Sequence, residues 1–184
     1  MKRIYIYPSG GVDLDLFYPS PKPSENPVVS AVGRLDRFKG VDVLIRALTK
    51  TRHPVRARIV GDGPLRAEWE ALARQLGVPD RVQFTGAVPH EELAREYQAT
   101  AAFVFPTVRP AESFGNVAVE AMACGLPVIG SRIAGLTEYI RENENGMFVE
   151  PGNVEDLASA MDRFFELSRE RRLQMRKAAI QTAV

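Results

Sequence analysis

Two carboxylates and the helix start between them form the part of this sequence best suited to chemistry. From Phe105 to Val128 the residue pattern reads as a strand, a loop, and a helix that starts near Gly115 and stops at Gly125. The unpaired backbone N–H groups of a helix start make an anion site, and a glycine there lets a ligand approach the backbone. Gly115 and Asn116 would serve through their main chain rather than through side chains. Glu112 stands before the helix and Glu120 on its second turn. A carboxylate beside a bound phosphate cannot be there for the phosphate. It is suited to accept hydrogen bonds from hydroxyls such as those of a sugar or a ribose.

The rest of the chain shows what must position these groups. Residues 1–27 hold prolines at 8, 19, 21, 23 and 27 and read as a linker or lead-in rather than core. From residue 28 onward, strand-like runs alternate with helical ones. Strands are expected at Val28–Val32, Val55–Val60, Val82–Phe84, Ala102–Phe105, Val128–Ile129 and Met147–Val149. Helices are expected at Gly40–Lys50, along the stripe Leu65, Trp69, Leu72 and Leu76, and from Pro89 through Leu93 and Tyr97. Further helices should cover Asn116–Ala123, Leu136–Arg141, Val154–Leu167 and Arg169–Ala183. Such alternation implies βαβ units and a parallel sheet of roughly six strands covered on both faces. Ligands collect where the strands of such sheets end. That places the site around Gly33, Gly61, Gly86, Pro106 and Gly130.

The stretch containing Glu112 and Glu120 resembles the Glu-x7-Glu motif of retaining GT-B glycosyltransferases, the large group often called family 4. Further segments are similar in the same order: Gly33-Arg34-Leu35 with Lys39-Gly40, Val60-Gly61-Asp62-Gly63-Pro64, and Phe84-Thr85-Gly86-Ala87-Val88 with Glu91-Glu92-Leu93. Gly11-Val12-Asp13, Phe17 and Pro19 look like the linker into the second domain. The resemblance implies a Rossmann-like three-layer α/β/α domain, residues 28–184, forming the C-terminal half of a GT-B fold. It also implies that Glu112 contacts hydroxyls of the donor sugar and that Glu120 binds the ribose. Amides around Phe114, Gly115, Asn116 and Val117 would hold the diphosphate, which Arg34 and Lys39 would clamp beside Gly33. Gly61, Gly63 and Val88 would lie near the base.

A member of that group would bind a nucleoside-diphosphate sugar, UDP-, GDP- or ADP-linked, as co-substrate. The resemblance implies transfer with retention of configuration and no divalent metal. Breaking the sugar–phosphate bond leaves negative charge on the diphosphate, and Arg34, Lys39 and the helix amides would stabilise it in place of a metal. The resemblance covers only the second half of the family's pattern. An N-terminal domain supplying the acceptor site would be needed, and the isolated chain is expected to bind nucleotide and transfer nothing. The family's common Ala-Asp before its fourth strand is Thr100-Ala101 here, which should cost a structural hydrogen bond.

Other readings are weaker. A non-catalytic nucleotide-sugar module or a GT-B epimerase would share this fold. A glycoside hydrolase would use Glu112 and Glu120 across a glycosidic bond but has no use for an anion site between them. Asp13-Leu14-Asp15 spells a metal-binding pattern of a different fold, but no second carboxylate cluster accompanies it. His53 and His90 are isolated, and His90 should face solvent. The single cysteine, Cys124, is expected to be packed. With 24 basic against 23 acidic residues, bulk electrostatic capture of nucleic acid is excluded. The run Arg169, Arg171, Arg172, Arg176 and Lys177 would suit peripheral membrane contact in a full-length protein. Interspersed Glu166 and Glu170 favour a solvated face. No apolar run approaches the ~20 residues of a membrane span, so a cytoplasmic location is the default.

Overall fold

Among the described residues six short runs become strands: β1 (Val28–Val32), β2 (Arg56–Val60), β3 (Val82–Gly86), β4 (Ala102–Phe105), β5 (Val128–Ser131) and β6 (Gly146–Val149). They are fully buried in β4, β5 and β6 and more exposed toward the β3 edge. The structure, a computed structural model, describes residues 11–109 and 115–184. All neighbouring strands pair parallel in the order β3-β2-β1-β4-β5-β6. The expected parallel α/β sheet is therefore present.

Among the described residues seven α-helices cover the sheet: α1 (Val41–Leu48), α2 (Arg66–Gln75), α3 (Leu93–Gln98), α4 (Asn116–Ala123), α5 (Ala134–Thr137), α6 (Val154–Glu166) and α7 (Arg169–Ala183). Right-handed crossovers decide which face each one takes. Connections stepping outward from β1 to β3 put α1 and α2 on one face, where Leu44, Ile45, Leu48 and Trp69 join Leu157, Met161 and Phe164 of α6. Connections running from β3 back to β4 and on to β6 put α3, α4 and α5 on the other face. There Tyr97, Val119, Met122 and Leu136 are joined by Ala179 and Ala183 of α7. The last two helices start on side-chain caps: Asn153 accepts from the Asp156 amide at 3.0 Å, and Ser168 from the Arg171 amide at 3.2 Å.

Four details depart from the sequence reading, each for a local reason. Phe17 of the lead-in is buried in the second core, against the rings of Tyr97 and His90. The helix expected from Pro89 opens with a 3-10 turn, His90–Glu92, before α3. The helix expected at Leu136–Arg141 is instead α5, Ala134–Thr137. Buried Asn145 accepts the Arg141 amide at 2.7 Å and donates to the Tyr139 carbonyl at 2.9 Å, which draws both groups out of a helical ladder. Finally, Thr100 bonds the buried Ser30 hydroxyl at 3.0 Å and donates to the Tyr97 carbonyl, so a structural hydrogen bond is retained at that position.

The loops leaving β1 and β4 are clasped to each other. Asp36 caps a 3-10 turn, Arg37–Lys39, by accepting from the Phe38 amide at 3.0 Å. The Phe38 carbonyl in turn accepts from the Val108 amide and the Thr107 hydroxyl, both at 2.9 Å. Arg109 lies over the Phe38 ring, 5.6 Å from its centre. Gly40 adopts φ +64° against the Pro106 carbonyl, which occupies the place of a side chain.

Two predictions test these supports. Buried Asp162 of α6 accepts the Arg52 and His53 amides at 3.0–3.1 Å, pinning the turn after α1. Burial alone would raise its pKa, but those amides and the Arg52 guanidinium outweigh it and hold the carboxyl below its ordinary value. Asp162→Ala should cost about 2 kcal/mol in denaturant melts at pH 7. Because the folded pKa is depressed, this stabilisation is full above the unfolded value near 4. The gap between variant and parent should close as pH falls below it. Gly40→Ala combines left-handed strain with overlap on Pro106 and should cost roughly 3 kcal/mol or more. Gly77→Ala shares the positive φ in open space and should cost about 1 kcal/mol. Equal losses would show that the β1–β4 clasp contributes nothing.

Candidate functional site

The strand order reverses direction between β1 and β4, so the chain leaves the two strands toward opposite faces and opens a crevice at their carboxyl ends. Gly33, Arg34 and Lys39 line it from the β1 side and Phe105 and Pro106 from the β4 side. The clasp at Phe38 and Gly40 fixes Lys39 here: its ammonium lies 5.7 Å from the centre of the Phe105 ring, and its stem packs over Gly33. Arg34 is exposed, and its side chain makes no hydrogen bond or ion pair among the described residues.

The start of α4 reaches the same ring at its edge. Gly115, its N-cap, has a left-handed backbone and no side chain to occupy the first-turn amides. The Phe105 edge, the Tyr139 hydroxyl and Leu136 enclose it on its side-chain face. Phe105 thus touches both a cation and the positive end of a helix at the crevice. Such an arrangement suits an extended polyanion. Asn116 is exposed and Val117 half-buried at this helix start. Glu112 and Phe114 lie outside the described residues.

Glu120, one turn along α4, is buried, with 12% of its side chain accessible. One carboxylate oxygen accepts from the Tyr97 hydroxyl at 3.3 Å and the other faces His90 Nε2 at 3.1 Å. Burial, and then the Glu120 charge, push the Tyr97 phenol well above its ordinary pKa, so it stays a hydrogen-bond donor. The same two causes push the Cys124 thiol, one turn further along, up to about 12. Cys124 is buried and chemically quiet, as expected.

The other expected site residues contribute backbone shape. Gly61 donates to the Gly86 carbonyl at 2.8 Å, and the Gly33 carbonyl occupies its side-chain space. Gly63 packs on the Leu35 backbone in the same way. Only glycine permits the loops after β1 and β2 to lie this close. Val88 is half-buried against the second core.

His90 is the residue that sequence reasoning missed. The sequence places it facing solvent, and 60% of its side chain does so, but its ring edge meets Glu120 and it stacks edge-on against Phe17 at 5.1 Å. The turn sequence Pro89-His90-Glu91-Glu92 is uniformly polar and carries no periodicity that aims one side chain inward. Among the described residues, no group of three or more His, Cys, Asp or Glu could hold a metal. Asp13 accepts the Asp15 and Leu16 amides, as a turn residue does. No helix among them is long and apolar enough to cross a membrane.

Comparison with known proteins shows the family. The sequence matches the family described as Glycosyl transferases group 1 over residues 15–182. It is 42% identical over 134 residues to an uncharacterized glycosyltransferase of Methanocaldococcus jannaschii, covering 72% of this chain and 34% of that protein. The structure of Anabaena HepE, solved in complex with UDP, superposes with a TM-score of 0.84 at 28% identity, over 94% of this chain and 50% of that one. The C-terminal domain of the group 1 protein LpcC from Francisella tularensis superposes with a TM-score of 0.82 at 25% identity. That match covers 94% of this chain and 96% of that domain. The chain spans about a third to under half the length of the curated relatives it matches. It belongs to the glycosyl transferases group 1 family, and its fold is that of the C-terminal, Rossmann-like domain of a GT-B glycosyltransferase.

Proposed function

We propose that this chain is the donor-binding half of a retaining, metal-independent glycosyltransferase and that it holds a nucleoside-diphosphate sugar in the β1–β4 crevice. The supporting observation is the convergence of Lys39 and the α4 start on Phe105, with buried Glu120 one turn beyond. A diphosphate across the crevice would meet the Lys39 ammonium, the Arg34 guanidinium and the amides of Gly115, Asn116 and Val117. The nucleoside would lie toward Glu120, whose carboxylate accepts from the ribose hydroxyls, with the base near Gly61, Gly63 and Val88. Glu112 would take hydroxyls of the donor sugar.

The chemistry rests on charge. As the glycosidic bond to phosphate breaks, the sugar carbon gains positive character and the diphosphate gains negative charge. Fixed cations and aligned amides stabilise that charge without rearranging as it forms, and losing one such preorganised donor costs about 3–4 kcal/mol in the barrier. Residues 28–184 form the donor domain on this reading, and residues 1–27 are the lead-in from an N-terminal domain that supplies the acceptor. The UDP complex of HepE makes UDP the first nucleotide to test.

A thermal-shift panel of UDP, GDP and ADP with their common sugars should show one base stabilising the chain. Saturation at 100 times the dissociation constant corresponds to about 2.7 kcal/mol. EDTA should leave that shift intact, and the chain alone should transfer no sugar to any acceptor. Glu120→Ala should weaken the nucleoside diphosphate about 10- to 100-fold while leaving inorganic pyrophosphate nearly unaffected. Equal losses for both ligands would remove Glu120 from the ribose. A shift that vanishes with EDTA would overturn metal independence.

A further inference from the structure

We infer that His90 is a positioning residue that sets the Glu120 carboxylate for a vicinal diol, an inference that rests on the reading of Glu120 as the ribose ligand. A diol bound by one carboxylate needs both oxygens in a defined plane. Rotation about the last side-chain bond of a glutamate is soft, and a single partner does not stop it. Here each oxygen has its own partner on a different element. Tyr97 of α3 donates to one at 3.3 Å, and His90 of the 3-10 turn after β3 faces the other at 3.1 Å. To hydrogen-bond an ionised carboxylate, His90 must carry a proton on Nε2 and donate it.

The two supports differ in character. Tyr97 is fully buried in the core, so its hydroxyl is placed by packing against Phe17 and Phe103. His90 is mostly exposed, yet its ring rests edge-on against buried Phe17, which limits its motion on that side. A carboxylate has about four acceptor positions. The two donors take one on each oxygen and leave one on each, the number a pair of adjacent hydroxyls requires. Without His90, the oxygen on the open side of Glu120 is free to turn toward water, and the paired acceptors are lost.

Calorimetric titration of the chain with UDP, its 2′,3′-dideoxy analogue and inorganic pyrophosphate tests this. The parent should prefer UDP over the dideoxy analogue, and Glu120→Ala should abolish that preference. Should the parent show no preference, or Glu120→Ala retain it, the ribose reading itself fails whatever His90 does. Given that control, His90→Ala should lose about tenfold in UDP affinity with little change for the dideoxy analogue or pyrophosphate. His90→Gln, whose amide can donate to the same oxygen, should recover most of the preference. An unchanged preference in His90→Ala, an equal loss for UDP and the dideoxy analogue, or a folded His90→Gln no better than Ala would each overturn the positioning role. Because the imidazole is largely exposed, these variants are expected to melt within a few degrees of the parent.

Discussion

The opposite exits of β1 and β4 are the constraint on which the rest of the structure depends. Both strands lie side by side at the centre of a parallel sheet, and right-handed crossovers send α1 to one face and α4 to the other. The space between the departing loops is a consequence of handedness, and no side chain has to create it. What the sequence adds is control over how that space is lined. Gly40 and Pro106, Phe38 and Val108, and Arg109 over Phe38 tie the two rims together, so that the crevice is held at a fixed width.

Two kinds of electrostatic environment then sit within one helix length of each other. At the head of α4 the aligned backbone and Lys39 favour negative charge. One turn below, Glu120 keeps a carboxylate inside an aromatic pocket of Phe17, Tyr97 and His90. Tyr97 and His90 each reach one of its oxygens, whereas the neighbouring thiol and phenol are held neutral by burial. A ligand carrying phosphates at one end and neighbouring hydroxyls further along matches that succession of environments.

Most of the scaffold was legible in the sequence because its signals are local. Val28–Val32 and Ala102–Phe105 are short apolar runs closed by Gly33 and Pro106, and Asn116–Ala123 is bounded by glycines on both sides. Arg34, Lys39 and Glu120 were singled out by the resemblance of their segments to a family pattern; Arg34 and Lys39 line the crevice and Glu120 lies on α4. The departures came from contacts between residues distant in sequence or from side chains competing with the backbone. Asn145 ends the pattern that Leu136 and Ile140 suggested would continue. Phe17 enters a core assembled from α3 and β4, which a proline-rich lead-in does not announce. His90 acquires its partner thirty residues away through the packing of the 3-10 turn beside α4.

The burial of α4 has a mechanical consequence. Six of its eight residues, Ala118 to Ala123, are buried, and α4 packs closely on α7, whose Ala179 and Ala183 belong to the same core. Small side chains on both helices bring their backbones close and leave little volume into which either could slide. The helix therefore acts as an anvil, a footing with little room to move. A substitution that enlarges Ala118 or Ala121 would shift the anvil itself.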